Sequence, residues 1–119
     1  MRRREFDDFI NAIRKGSVKV PAIELEDGSS HSNVFEGSYY GQKVIEHNEY
    51  SLTYYVAANQ SCSIRWGRFG ELDDYDCNEL TVETEVMYMC DEDGNEESLT
   101  VNQKEKIESL LNEYTQKVN

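Results

Sequence analysis

Two amphipathic helices bracketing a run of antiparallel strands place this chain in the α+β class. The sequence predicts a small antiparallel sheet of about four or five strands with an N-terminal and a C-terminal helix packed on it. Three observations carry that expectation. Apolar residues recur at helical spacing near both ends, period-two alternation fills the middle, and turn-forming clusters separate the segments. At 119 residues the chain reads as one domain, 1–119, large enough for a single core. Eight Tyr, four Phe and one Trp supply much of the area that core needs.

The first helix is expected from about Arg3 to Lys15. Phe6, Phe9, Ile10 and Ile13 fall on one face, and Gly16 is placed to end it. Arg2, Arg3 and Arg4 oppose the helix dipole at the start, whereas Arg14 and Lys15 suit it at the end. Val18 to Leu25 looks strand-like, with Pro21 marking an edge. "EDGSSHSN" follows as a polar turn cluster, then a strand from Val34 to Tyr40 closed by Gly41.

"EYSLTYYVAA", Glu49 to Ala58, alternates clearly, and a long loop is expected from Asn59 to Asn78. Leu80 to Cys90 is the strongest strand, with Leu80, Val82, Val86 and Tyr88 facing the core and Glu83 and Glu85 in water. "DEDGNEE" reads as a hairpin turn with Asp93-Gly94 at its tip, returning through Ser98 to Val101. The final helix is expected from Gln103 to about Val118, capped by Asn102 with Glu105 three residues on. Ile107, Leu110, Leu111, Tyr114 and Val118 form its apolar face.

Charge is the most informative property for function. The net charge is −12, but residues 1–20 carry six basic groups against three acidic ones, so the remainder is strongly anionic. From Gly70 to Gln103 there are twelve acids and no Lys or Arg. Such a surface repels phosphate backbones and attracts basic partners, which opposes direct nucleic-acid binding by the body of the protein. No apolar run reaches the roughly 18 residues of a membrane span. "MRRREFDDF" has the basic start of a signal peptide, but acids stand where its apolar segment belongs, so a cytoplasmic protein is expected.

Cys62, Cys77 and Cys90 are odd in number and widely spaced, so reduced thiols are expected. Nothing in their spacing with His31 or His47 requires zinc. "DEDGNEE" resembles a calcium loop, yet no register gives it both the first ligand and the closing glutamate. Asp73, Asp74 and Asp76 read as a solvated loop. No metal or cofactor is expected. The chain also lacks GxSxG, HExxH, a Walker loop and the kinase signatures. His47, between Glu46 and Glu49, reads as an exposed turn histidine, and catalysis is not expected.

Two resemblances bear on function. "RWGRFG", Arg65 to Gly70, follows the strand "YSLTYYV" and is similar to the motif that names the WGR domain. In that family a small sheet and a packed helix contact DNA. The resemblance implies a nucleic-acid-binding module using Arg65, Trp66 and Arg68, and the alternative expectation adds the N-terminal Arg2, Arg3 and Arg4 to that contact. Here, however, Glu71, Asp73, Asp74 and Asp76 follow the motif, where that family has neutral or positive residues. Locally, Arg65 and Arg68 can neutralise this acidic loop instead, leaving the segment to cover a sheet edge.

From about Tyr50 onward, "DDYDCNELTVETEV", "DEDG" and "LTVNQKEKIESLLNEY" resemble small acidic proteins encoded by bacteriophages and prophages. Leu99, Thr100, Gln103, Ile107, Glu108 and Leu111 match the helix those proteins share. That resemblance implies no activity of its own. Joined to the charge, it leads to a non-enzymatic binder of a basic, nucleic-acid-handling host protein, inhibiting it by DNA mimicry. Its contact residues are expected among Glu71, Asp73, Asp74, Asp76, Glu79, Glu83, Glu85, Asp91, Glu92 and Asp93. A minor phage structural or assembly protein is the other expectation.

Overall fold

The computed structural model describes residues 1–31, 34–66 and 72–118. The elements are α1 (Arg3–Lys15), β1 (Glu26–His31), β2 (Val34–His47), β3 (Tyr50–Trp66), β4 (Leu72–Cys77), β5 (Thr81–Cys90), β6 (Glu96–Glu97) and α2 (Val101–Tyr114). The strands form one antiparallel sheet in the order β1-β2-β3-β5-β6, with β4 pairing the far end of β3. This is the expected α+β architecture, with five strands of six residues or more and a two-residue β6.

Both helices form for the reasons their sequences suggest. α1 buries Phe6, Phe9, Ile10 and Ile13 and stops at Gly16, whose φ of +79° an L side chain adopts only with strain. α2 buries Ile107, Leu110 and Leu111. Its cap lies two residues before the expected Asn102: the Thr100 side chain accepts from the Gln103 N–H, and the Gln103 side chain accepts from the Thr100 N–H. The helix ends at Tyr114 because the tail turns away to pair elsewhere. Ile23 N–H donates to Gln116 O, and Val118 N–H donates to Ile23 O. That pairing also corrects the strand expected at Val18 to Leu25, which meets the C-terminal tail at one bridge and no strand of the sheet.

The strands depart from expectation mainly in length. β2 runs through Gly41 to His47 because it pairs residue for residue with β3 over that length; Tyr39 lies across the glycine, where a Cβ would sit 2.7 Å from the Tyr39 hydroxyl. The polar cluster expected as a turn is in part β1, held by backbone pairing to β2. Of the loop expected from Asn59 to Asn78, residues 59–66 are the end of β3 and residues 72–77 are its antiparallel partner β4, while residues 67–71 lie outside the described residues. Cys62 and Cys77 are directly opposed across that pair of strands and form a disulfide, which corrects the expectation of reduced thiols. Cys90 is free.

One irregularity decides which residues of β5 reach the core. Leu52 pairs with Met89 and Thr53 with Tyr88, but Tyr54 pairs with Val86, so Met87 is the extra residue of a β-bulge. The bulge shifts the alternation by one. Met89 is buried where Tyr88 was expected, and Tyr88 faces away from the helices.

The core holds the inner face of β3 (Leu52, Tyr54, Val56, Ala58), Ile45, Val86, Met89 and the apolar faces of both helices. It does not extend over the full sheet. The radius of gyration is 18.2 Å and the long axis 62 Å, against roughly 13–14 Å for a compact chain of this size. Ile45 is buried at one end of β2, while Val34 and Phe35 at the other are exposed.

Candidate functional site

The alternation of β3 gives the sheet two unlike faces. Leu52, Tyr54 and Val56 point to the helices and are fully buried. Tyr55 and Ala57 point the other way, and the register puts the outward residues of β2 and β5 beside them. Val44, Thr53 and Tyr88 make one row, Gln42, Tyr55 and Glu85 the next, and Tyr40, Ala57 and Glu83 a third. On this face Tyr40 is 64% exposed, Val44 49%, Tyr88 44%, Met87 43% and Tyr55 37%. Thr53 alone is buried, between Val44 and Tyr88. An open groove of about 620 Å³ follows Tyr55, Glu85, Met87 and Tyr88, with Lys104 of α2 at its border.

Carboxylates surround this aromatic strip. Glu83 and Glu85 lie on β5, Glu36 and Glu46 on β2, and Asp76 on β4 opposite Ser63, all exposed. Among the described side chains, no Lys or Arg occupies an outward position on β2, β3 or β5. Lys43 falls on the inner face, its Nζ 5.2 Å from the Tyr39 ring centroid. Tyrosine faces and carboxylates both attract cations, so the chemistry here is recognition of positive charge carried on apolar stems.

The sequence-predicted acids are thus dispersed along the molecule. Glu83 and Glu85 share the outer face. Glu79 is exposed in the connection before β5. Asp91, Glu92 and Asp93 lie at the turn after β5, where a notch of about 360 Å³ brings Asp91 and Glu92 to Glu46 and Glu49. Asp91 also builds the turn: its Oδ1 accepts from the N–H groups of Asp93 and Asn95, 3.0 and 2.9 Å away. Glu71 and Arg68 lie outside the described residues. For Arg65, Trp66, Asp73 and Asp74 the description covers the backbone alone, which pairs Arg65 with Asp74 and Trp66 with Leu72.

The predicted basic set does not gather. Arg2, Arg3 and Arg4 are exposed at the start of α1, which Glu5 and Asp8 fix to the β2–β3 hairpin. Arg65 lies fifteen residues along β3 from Tyr50, roughly 50 Å at about 3.3 Å per residue. The two basic groups thus stand at opposite ends of β3.

The contacts at the α1–hairpin junction are not legible in the sequence. His47 Nε2 lies 3.0 Å from Asp8 Oδ2, the Asn48 side-chain amide donates to the same oxygen at 3.0 Å, and His47 packs edge-on against Phe9. Tyr50 donates to Glu5 Oε2 at 2.7 Å; that bond, then burial and the Glu5 charge, push the tyrosine up to about 12. Arg2 and Arg4 join these groups around a cleft of about 600 Å³. Asp7, Asn11 and Asn48 complete its lining. The cluster fastens α1 to the sheet. Among the described residues, no three His, Cys, Asp or Glu side chains come together as a metal site.

Periodicity alone misses the aromatic strip because it places Tyr88 in the core. The signal that could have found it is Tyr40 and Tyr55, each one residue out of phase with the buried set. No helix among the described residues is long and apolar enough to cross a membrane. Comparison with protein-family models, with curated proteins and with solved structures finds no match to this chain.

Proposed function

We propose that this protein is a non-enzymatic binding module of bacteriophage origin. In this reading the outer face of the sheet docks a basic, nucleic-acid-handling host protein and blocks it. The observation that carries the reading is the composition of that face: exposed carboxylates and tyrosines, with no Lys or Arg among the described outward side chains of β2, β3 and β5. Successive outward residues of a strand stand roughly 7 Å apart, so Glu83 and Glu85 can occupy neighbouring cation sites on a surface evolved for phosphates.

A cytoplasmic role suits a host nucleic-acid-handling target, but the Cys62–Cys77 disulfide is a feature of oxidising compartments. Thiol alkylation and mass measurement on protein taken from the cytoplasm distinguish the bonded pair from the dithiol.

The docking reading is tested by affinity capture from a bacterial host lysate, identification of the retained protein and titration of the purified pair in rising salt. The expected affinity falls steeply with salt, and Glu83→Gln with Glu85→Gln weakens it about tenfold. An affinity indifferent to salt overturns charge mimicry.

A further inference from the structure

We infer that the groove along Tyr55, Tyr88 and Met87 receives an amphipathic α-helix of a partner protein, with large apolar residues along its centre and Arg or Lys on its flanks. The inference rests on the docking reading above and names the shape of what docks.

The width of the site fits a helix. Laid across the strands along the Val44–Thr53–Tyr88 row, a helix lies between the Ser51 and Tyr55 rows. Those rows stand roughly 13 Å apart along β3 and accommodate a helix diameter of about 10–12 Å. The apolar groups form a central strip, with Val44 and Tyr88 flanking buried Thr53 and Tyr55 and Met87 adjoining. Carboxylates stand on both long sides of that row, Glu46 beside Ser51 on one and Glu85 and Glu83 on the other, and Lys104 of α2 also lines the groove. Apolar in the middle and cationic on both flanks is therefore the complement this surface specifies.

Other occupants fit less well. In the groove region β3 is bonded to β2 on one side and β5 on the other, and β5, which pairs β6 only at Met89 and Cys90, has its Val86 N–H taken by Glu108 of α2, which interrupts the ladder an added strand needs. A docked segment must satisfy its own backbone, which a helix does. A second copy of this face would set carboxylate against carboxylate, on chains that each carry −12. The apolar faces of α1 and α2 are already spent in the core.

Three labelled 14-residue peptides test this by fluorescence anisotropy with the intact protein at low and physiological salt. The first carries Leu and Phe at helical spacing with Arg on the flanks. The second has the same composition in scrambled order. The third keeps the apolar pattern with Glu in place of Arg. The first is expected to bind at least about tenfold tighter than either control. Tyr55→Ser with Tyr88→Ser should lose about tenfold, and Glu83→Gln with Glu85→Gln should lose a similar factor while flattening the salt response.

Equal binding of the scrambled peptide overturns the helix and leaves cationic docking intact. Failure of both basic peptides overturns the docking reading as well. Binding of the Glu peptide as tight as that of the Arg peptide overturns the charge pattern. Sedimentation equilibrium checks the second copy: a dimer abolished by Tyr88→Ser assigns the groove to self-association and overturns the partner.

Discussion

Leu52, Tyr54 and Val56 alternate along β3 with Thr53, Tyr55 and Ala57, yet the two sets live in different environments. The inner set is sealed under α1, α2 and the segment around Ile23; the outer set faces solvent, with only Thr53 covered by its neighbours. Both sets contain a tyrosine, and both have β-branched or apolar companions. Residue type does not separate them. What separates them is that both amphipathic helices lie on one side, so the remaining side keeps its apolar groups exposed. Large exposed apolar patches ringed by polar groups mark interaction surfaces.

The largest expected effect tests that division. Leu52→Ala empties a fully buried site and should cost about 3–4 kcal/mol in urea denaturation. Tyr55→Ala, three residues along the same strand, should cost less than about 1 kcal/mol. Comparable losses would mean that the outer face is packed in solution, and would break the comparison.

Much of the inner layer is legible in the sequence, and little of the outer one. α1 is readable because four apolar residues, a terminal glycine and a basic last turn agree. β3 and β5 are readable in their apolar stretches, where burial enforces alternation. β1 and β4 are not: "EDGSSH" and "LDDYDC" are polar, and backbone pairing to β2 and β3 makes them strands without needing apolar side chains. The Cys62–Cys77 bond depends on that unseen strand register. The aromatic strip depends on a single bulge residue, Met87, which no periodicity reveals. His47 and Asp8, 39 residues apart, meet only through the tertiary fold.

The disulfide extends the comparison along the inner face, from the helix-covered rows toward the exposed end. Cys62 and Cys77 are 15 residues apart, and releasing the bond should cost about 2–3 kcal/mol through the unfolded chain. The loss should be local. Amide exchange in reduced protein is expected to speed up in β4 and residues 60–66 while residues 52–58 keep their protection. Uniform acceleration would show that the elongated sheet is one cooperative unit, and that its two ends are not energetically distinct.

A smaller effect is expected at the margin where the two faces of β5 meet. Val86 N–H donates to Glu108 Oε2 of α2 at 2.9 Å, so a helix carboxylate closes a backbone position beside the bulge. Glu108→Ala leaves that part-buried donor unpaired and should cost about 1–2 kcal/mol. Glu108→Gln, which keeps an acceptor, should cost less. If the two variants lose the same amount, packing of the side chain matters there and the hydrogen bond does not.

The smallest effect concerns the one inner-face residue that does not fit its surroundings. Tyr54 is fully buried, and its hydroxyl is the one buried side-chain polar atom without a partner among the described residues. Burial, with Tyr39 adding to it, pushes its pKa up to about 12. A folded-state value above the unfolded value of about 10 means that the neutral phenol is favoured by folding. The stability linked to it is complete below pH 10 and is lost as pH rises toward 12. Tyr50, also raised to about 12, adds to the same alkaline loss. Tyr54→Phe removes the unpaired hydroxyl and should raise stability by up to about 1 kcal/mol at neutral pH. It should also make the fall in stability between pH 10 and 12 shallower without abolishing it, because Tyr50 remains. A variant less stable than the parent at pH 7 would mean that the hydroxyl has a partner in solution, and that the inner face is not dry at its centre.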